Sequence, residues 1–238
     1  MFVVIEMTEF AVVIPSRYAS QRLPGKPLID IRGKPMIQHV YERACASAAV
    51  DVVIATDDER IAEAAESFGA KVCMTSANHQ SGTERIAEVA DIMDWPDQQV
   101  VVNLQGDEPT MPPQLIDQCA ALLDDASADI ATLASPFLSQ ADFENPNCVK
   151  VVRDSAGHAI YFSRATIPYP RDGDRDEGEQ AEREQPANSV RRGRAGMVGV
   201  CRCRHGGLRG LGWRRAAGGT LAPLRHRSVP AARVCEDL

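Results

Sequence analysis

Three cations lie close together in a short segment near the amino terminus of the chain: Arg17, Arg22 and Lys26. The segment follows an apolar run over residues 10–14, which predicts a buried strand. A helix cannot carry the Pro-Gly-Lys-Pro sequence of residues 24–27 in its interior, so we expect the cations on an ordered loop. Open α/β sheets bind ligands beyond the carboxyl ends of their strands, so this loop predicts a polyphosphate site. A solvated basic turn is the competing interpretation.

A carboxylate follows the most apolar segment of the chain. Residues 99–105 (QVVVNLQ) are mostly apolar and β-branched, which predicts a central strand, and they run directly into Gly106 and Asp107. A carboxylate at the carboxyl end of a central strand is well placed to hold Mg²⁺ against phosphates. Glu108 is a weaker candidate, because its side chain points the other way on an extended backbone. Two acids in a surface turn are the alternative.

A third polar segment opens a predicted amphipathic helix. Ser81 and Gly82 stand at its start, where backbone N–H groups lack helical partners. Arg85 falls in the first turn, where the helix macrodipole opposes a cation, so we expect it to serve a ligand. A salt bridge at the rim with Glu84 or Glu88 is the alternative.

The order of residues in these segments resembles a known enzyme family. The patterns R-x-x-S-x-R-L-P-G-K at residues 17–26, H-Q-S-G-T-E-R at 79–85 and Q-G-D-E-P at 105–109 resemble motifs of sugar nucleotidyltransferases. They most closely resemble those of 3-deoxy-manno-octulosonate (Kdo) cytidylyltransferases, whose acceptor-sugar motif resembles S-R-A-T-I-P at 163–168. The sequence contains neither a P-loop nor a Rossmann G-x-G-x-x-G pattern.

The resemblance implies roles for individual residues. Arg17, Lys26 and Asp107 would carry catalysis, with Asp107 as the ligand of Mg²⁺. The remaining substrate contacts would come from Arg22, Ser81, Gly82, Arg85, Gln105 and Arg164. Arg164 would meet the acidic sugar, because a planar guanidinium donates two parallel hydrogen bonds to a carboxylate. Lys150, at the start of a predicted strand, is expected to be a solvated charge.

The resemblance also implies an activity. CMP would pass from CTP to Kdo with release of pyrophosphate, which would supply the activated sugar for lipopolysaccharide, and the enzyme would be a homodimer. The alternatives are a cytidylyltransferase for another acidic keto-sugar, such as a neuraminate, and an inactive nucleotide-binding remnant. The sequence offers no Ser/His/Asp or Cys/His constellation that would supply a protein nucleophile.

Alternating strands and helices must position these residues. The spacing predicts a strand at Val52–Ala55, a helix over 58–68 capped by Asp57 or Asp58 and ended by Gly69, and a strand at Lys71–Met74. This rhythm predicts an α/β protein with a mostly parallel sheet and helices on both faces. The resemblance implies the Rossmann-like fold of the nucleotide-diphospho-sugar transferases.

The last part of the chain differs in composition. Residues 1–180 hold 14 Lys+Arg and 29 Asp+Glu, a balance of −15, whereas residues 181–238 hold 12 Arg and 4 acids, a balance of +8. We predict a nucleotidyltransferase domain over 8–171 and an Arg/Gly-rich tail over 172–238, expected to be disordered because it lacks apolar periodicity. Only Met197–Cys201 resembles a strand.

The tail also departs from the family pattern. Met197, Cys201 and Cys203 stand where the family has a His and two Tyr, and the second metal-binding Asp has no counterpart. Arg, Gly, Ala and Pro enrichment is typical of a GC-rich coding region read out of frame. Electrostatic binding of nucleic acid is an alternative, but the tail lacks interleaved aromatic residues.

Cysteine usage and hydropathy indicate the compartment. The seven cysteines are scattered without a C-x-x-C pair, as expected in a reduced compartment. No apolar run approaches ~18 residues, and the amino terminus lacks the charged start of a signal peptide. The sequence therefore predicts a cytoplasmic enzyme with neither a membrane nor a nucleic acid as its partner.

Overall fold

The computed structural model describes residues 9–19, 23–79, 81–124, 128–137, 139–169, 191–202 and 232–235. Its strands are β1 (Phe10–Ser16), β2 (Asp30–Ile31), β3 (Lys34–Pro35), β4 (Asp51–Thr56), β5 (Lys71–Met74), β6 (Val100–Leu104), β7 (Ile130–Ser135), β8 (Lys150–Arg153), β9 (His158–Ser163), β10 (Arg191–Arg202) and β11 (Ala232–Cys235). Its helices are the one-turn 3₁₀ helix Lys26–Leu28 and α1 (Met36–Cys45), α2 (Glu59–Ser67), α3 (Gly82–Ile92), α4 (Pro113–Ala121) and α5 (Gln140–Glu144).

The main sheet has nine strands in the order β5-β4-β1-β6-β10-β7-β11-β9-β8. Strands β5, β4, β1 and β6 are mutually parallel, and Ile14 pairs with Ile54 while Val12 pairs with Val102. The apolar runs predicted as buried strands at residues 10–14 and 99–105 are therefore central strands of this half. The α/β class and the mostly parallel sheet are confirmed for these four strands.

Helices cover both faces of the parallel half. Val12 and Ile14 belong to one buried cluster, together with residues of α1, α2 and α4. Val13, the residue between them, belongs to a second cluster with Ile86 and Val89 of α3. Successive residues of a strand point to opposite faces, so a strand that is apolar at every position has to be covered twice.

Helix α2 begins where the sequence predicts. Asp58 is the residue before its first turn, and its side chain accepts a hydrogen bond from the backbone N–H of Arg60 at 3.1 Å. Gly69 follows the helix with φ of 80°, a conformation that costs glycine little. The prediction of an acidic cap and a glycine stop is confirmed, with Asp58 as the capping residue.

Two segments of the predicted tail lie in the main sheet. Strand β10 pairs antiparallel with β6 and β7, and β11 pairs parallel with β7 and antiparallel with β9. The segment Met197–Cys201, the one part of the tail that resembles a strand, lies within β10, so that expectation is confirmed. The partners of β10 and the strand β11 could not be predicted from composition, because pairing depends on the open edges of β6 and β7, which are remote in sequence. The other residues of 172–238 lie outside the described residues, so the division into a domain and a tail stays a prediction.

Strands β8 and β9 form a hairpin. They pair antiparallel, with Lys150 opposite Ser163, and Asp154 accepts hydrogen bonds from the backbone N–H groups of Ala156 and His158 in the turn.

Within the described ranges, none of the helices combines the length and hydropathy needed to cross a bilayer. Among the described residues, Cys45, Cys73, Cys119 and Cys148 are not in disulfide bonds.

The pairing of β10 can be tested by amide hydrogen exchange. We expect residues 198–202, which pair with β6, to exchange as slowly as residues 100–104 of β6 itself, because both carry sheet hydrogen bonds. Mass spectrometry of peptic fragments measures this, with the chain unfolded in denaturant as the fast-exchanging reference. Fast exchange across 198–202 would contradict the pairing and favour a disordered tail.

Candidate functional site

The candidate site lies at one edge of the parallel strands. The segments that leave the carboxyl ends of β1, β4 and β6 begin at Arg17, Asp57 and Gln105, respectively. Because β1 pairs in parallel with both β4 and β6, the three segments emerge side by side. The sheet therefore brings together motifs that are far apart in the sequence.

An ion pair joins two of these segments. The ammonium of Lys26 lies 2.7 Å from Oδ2 of Asp107, and both side chains are about one-third exposed (38% and 34%). Lys26 is the first residue of the 3₁₀ helix, preceded by Gly25 at φ of 71°. A side chain at Gly25 would also press on the ring of Tyr18, with its Cβ 3.1 Å from that ring. The turn that presents Lys26 therefore requires glycine.

The loop before Lys26 is braced from α2. The Gly25 N–H donates to the carbonyl of Tyr18 at 2.9 Å, and the guanidinium of Arg60 stacks 3.3 Å from the centroid of the Tyr18 ring. Arg60 in turn holds Asp58 through two hydrogen bonds of 2.9 and 2.7 Å. Sequence reasoning missed this brace. The acidic cap of α2 was the only sequence signal for this contact, and a cap does not show which ring the side chain of Arg60 will contact.

Gly106 lets β6 approach β1 closely. A Cβ at this position would lie 2.5 Å from Oγ of Ser16 and 3.2 Å from the backbone oxygen of Pro15. The Ser16 hydroxyl is buried, and within the described residues it has no hydrogen-bond partner. A glycine is thus needed immediately before Asp107, since any side chain would push the carboxylate away from β1.

The start of α3 packs against the same edge. The side chain of Ser81 caps the helix by accepting from the N–H of Glu84 at 3.2 Å. A Cβ at Gly82 would lie 3.3 Å from the Pro15 ring and 3.6 Å from Nε2 of Gln105, so the Gly82 backbone abuts both residues. The structure therefore brings Ser81, Gly82 and Gln105 together, while their role as substrate contacts stays a prediction.

Arg85 has a structural partner that the sequence did not suggest. Its side chain is almost fully buried, with Nη2 3.3 Å from Oδ2 of Asp57, and Nη1 donates to the hydroxyl of Thr75. Asp57 was interpreted as a cap candidate for α2, whereas it compensates the charge of Arg85 from the neighbouring strand end. The expectation that Arg85 serves a ligand stays a prediction, and the alternative of a salt bridge named Glu84 or Glu88 rather than Asp57.

Of the other two cations of this loop, Arg17 is the one that the structure describes. Arg17 is exposed immediately after β1. Arg22 lies outside the described residues, so its predicted role has no structural account here.

Arg164 and Lys150 mark the far end of the site. Arg164 is exposed, and its Nη1 donates to the carbonyl of Pro146 at 2.8 Å. The expectation that Lys150 is a solvated charge is wrong, because its side chain is buried and its ammonium donates to three backbone carbonyls. Burial lowers the pKa of the Lys150 ammonium, since the charged form loses its hydration.

Glu88 fixes the segment that leads into α3. Its Oε2 accepts from the Ser76 N–H at 2.8 Å and lies 2.5 Å from Nε2 of His79. Burial alone would raise the pKa of Glu88, but the hydrogen bonds from His79 and Ser76 outweigh it and the pKa falls below its usual value. The Glu88 carboxylate is therefore ionised, and it stabilises the local structure by binding Ser76 and His79.

The fit of the site to Mg²⁺ rests on a single carboxylate. Within the described ranges, no three His, Cys, Asp or Glu side chains converge on a common point that could hold a metal. Asp107 offers hard oxygen atoms beside a cation at an open edge, and Mg²⁺ commonly takes one or two carboxylates plus substrate phosphates. The residues therefore fit a magnesium ion that arrives with a nucleotide, rather than one bound by the protein alone.

The chain is similar to known proteins over much of its length. The family profile described as cytidylyltransferase matches residues 11–193. The chain is 61% identical over 163 residues to a 3-deoxy-manno-octulosonate cytidylyltransferase of Vibrio campbellii and 55% identical over 163 residues to that of Haemophilus influenzae. Each alignment covers 68% of this chain, which spans 65% and 64% of the length of these relatives.

A solved structure is similar over nearly the whole chain. It is that of a CMP:2-keto-3-deoxy-manno-octonic acid synthetase complexed with CTP, with a TM-score of 0.75 and 35% sequence identity. The match covers 97% of this chain and 90% of that one.

The close approach at Gly106 yields a stability prediction. Gly106→Ala should lower the free energy of unfolding by about 1–3 kcal/mol, because the new methyl group overlaps Ser16 and neither strand can easily move. Denaturant unfolding measures this change. The loss should shrink in a Ser16→Ala background, where the nearest overlapping atom is gone. An equal loss in both backgrounds would contradict the packing described.

Proposed function

The chain belongs to the cytidylyltransferase family, and on that premise we propose that it transfers CMP from CTP to 3-deoxy-D-manno-octulosonate and releases pyrophosphate. The relatives named for this reaction support the sugar, and the structure complexed with CTP supports the nucleotide. We further propose a cytoplasmic homodimer that requires Mg²⁺ and supplies activated sugar for lipopolysaccharide.

The Lys26–Asp107 ion pair is the observation that carries the proposal. It places a cation suited to phosphate and a carboxylate suited to a metal within 2.7 Å of each other at the ligand-binding edge of the sheet. The two groups come from loops that follow neighbouring parallel strands, so their proximity is a property of the fold. Phosphate oxygens and a metal ion would compete for these charges when the nucleotide binds.

The reaction is an in-line substitution at phosphorus. The oxygen of the sugar's anomeric hydroxyl bonds to the α-phosphorus of CTP while the bond from that phosphorus to the bridging oxygen breaks. Pyrophosphate leaves with the bonding electron pair, and the hydroxyl proton passes to solvent. The protein therefore acts by positioning the two substrates and stabilising charge, without a covalent protein intermediate.

Each group at the edge has a part in this scheme. Lys26 and Arg17, with Arg22 from the same loop, would neutralise the triphosphate. The backbone at Ser81 and Gly82, beside the amide of Gln105, would border the nucleotide. Magnesium held by Asp107 would supply charge neutralisation at the phosphate oxygens.

Two alternative functions concern the acceptor end of the site. A cytidylyltransferase for another acidic keto-sugar would use the same nucleotide site, but the relatives, which are named for 3-deoxy-manno-octulosonate, do not favour it. An inactive nucleotide-binding remnant is favoured by Met197, Cys201 and Cys203 in place of the expected His and Tyr residues, and by the missing second Asp. Incubation of the whole chain with CTP, Kdo and MgCl₂, with pyrophosphate release as the readout, separates these cases. CTP binding without turnover of Kdo would favour the remnant.

Asp107→Asn should abolish magnesium-dependent turnover while leaving the fold intact. The amide keeps the size of the side chain but loses the charge, and the half-exposed ion pair contributes little to stability. Pyrophosphate release gives the activity and circular dichroism gives the fold. Full activity of a folded variant would remove Asp107 from the metal role.

Lys26→Ala should weaken CTP binding by about 1.5–3 kcal/mol, the scale of a charge-assisted hydrogen bond. Lys34→Ala is the matched control, because Lys34 forms an ion pair of 2.6 Å with Glu42 at similar exposure, and it should bind CTP normally. Calorimetric titration with CTP measures both variants. Equal affinities would indicate that the Lys26 loop is a solvated turn.

A further inference from the structure

We infer that Lys150 is a positioning residue for the acceptor end of the site: its buried ammonium ties the turn before β8 to the backbone of Arg164 and so orients the Arg164 guanidinium. The inference rests on the proposed function, since it concerns the side that would receive the acidic sugar. Lys150 itself would not contact the substrate.

The ammonium of Lys150 has as many carbonyl acceptors as it has N–H donors. Its Nζ lies 2.7 Å from the carbonyl oxygen of Asn145, 2.9 Å from that of Cys148 and 3.2 Å from that of Arg164. An ammonium has three donors, and each of these carbonyls can accept one of them. Only 1% of the residue is exposed, so these bonds replace the water that the charge loses on burial.

The three carbonyls come from two separate segments. Asn145 and Cys148 belong to the turn before β8, whereas Arg164 follows β9, at the same open end of the hairpin. Sheet pairing already places Lys150 opposite Ser163. The ammonium adds a link between backbone segments just beyond the last paired residues, where the sheet itself no longer fixes the chain.

Arg164 depends on that same turn through its side chain. Its Nη1 donates to the carbonyl of Pro146, which lies between the two turn residues that Lys150 holds. Lys150 thus fixes the turn that holds the guanidinium and also the backbone from which the guanidinium extends. Arg164 is exposed, and a guanidinium with one donor on Pro146 keeps further N–H donors for a carboxylate.

Strand pairing places this hairpin beyond the carboxyl end of β6. Arg194 of β10 pairs with Ser135 on one edge and with Lys150 on the other, so β8 lies on the same edge of β10 as β6. Leu104 of β6 pairs with Val198. Four residues of β10 separate these two pairings, and the register irregularity between Ala195 and Gly199 falls among them, so a bulged segment of β10 sets the distance between the two levels. Lys150 and Arg164 therefore lie beyond the carboxyl end of β6, the same end that Asp107 follows.

The experiment compares Lys150→Met with Lys71→Met in the full chain. Lys71, like Lys150, is the first residue of a strand, and it pairs with Asp51 at 2.6 Å near the opposite edge of the sheet. Calorimetric titrations with CTP and with Kdo in the presence of CTP give the two affinities. We expect Lys150→Met to weaken Kdo binding at least tenfold and to change CTP affinity less than twofold. Lys71→Met should change neither.

A double-mutant cycle tests whether Lys150 acts through Arg164. Arg164→Ala should weaken Kdo binding and spare CTP, and adding Lys150→Met to it should cost little more, because the group being positioned is already gone. Additive losses would overturn the inference and indicate an independent role of the charge. Lys150→Arg, which keeps a cation with several donors, should restore most of the Kdo affinity.

The outcomes separate this inference from the proposed function. Failure of the wild-type chain to bind Kdo would overturn the proposed function and the inference with it. Binding of Kdo by the wild type with unchanged affinity in Lys150→Met would overturn the inference alone. If Lys150→Met does not fold, Lys150→Gln, which keeps one amide donor, takes its place with the same expected split between Kdo and CTP. Equal loss of both affinities in the folded variant would indicate general damage and would also overturn it.

Discussion

Strand β1 is the constraint on which the candidate site depends. Its two edges carry parallel partners, β4 and β6, and its two faces are covered by helices, so it can neither slide nor rotate without exposing buried side chains. A one-residue shift in register would exchange its two apolar faces and move every following loop. The Lys26–Asp107 contact is a consequence of this fixed register, since each partner follows a strand of the same parallel group. The placement of the candidate site therefore depends on core packing.

Close backbone approach is the second requirement at that edge. Gly106 stands where a methyl group would overlap Ser16, and Gly82 lies against Pro15 and Gln105. These two glycines bring the end of β6 and the start of α3 within contact of the end of β1. A ligand that needs N–H groups and a nearby carboxylate suits such an edge.

Buried charges hold the surrounding loops in two different ways. Arg85 meets an opposite charge on Asp57, so its compensation is ionic. Within the described residues, Lys150 donates only to backbone carbonyls, so the dipoles of these carbonyls compensate for the hydration that its charge loses on burial. The same carbonyls belong to the two segments that Lys150 connects. Removal of either cation would leave polar groups without partners, a larger cost than the net gain from forming the bonds. The first cation supports the nucleotide side, and the second supports the hairpin that carries Arg164.

The sequence by itself determined the α/β class, the buried strands, the cap of α2 and the residues of the nucleotide motifs, because each is written in local periodicity, turn chemistry or residue order. Only the tertiary structure decided which charges meet. Asp57 was ambiguous until the pairing of β1 with β4 and the packing of α3 set it beside Arg85. In the sequence Lys150 resembles an ordinary surface lysine, whereas in the fold its ammonium donates to the backbone of the segment after β9. Strand β10 pairs with the open edges of β6 and β7, which only the fold provides. Contacts between residues distant in sequence depend on strand order and helix packing, and neither can be deduced from a linear pattern of residues.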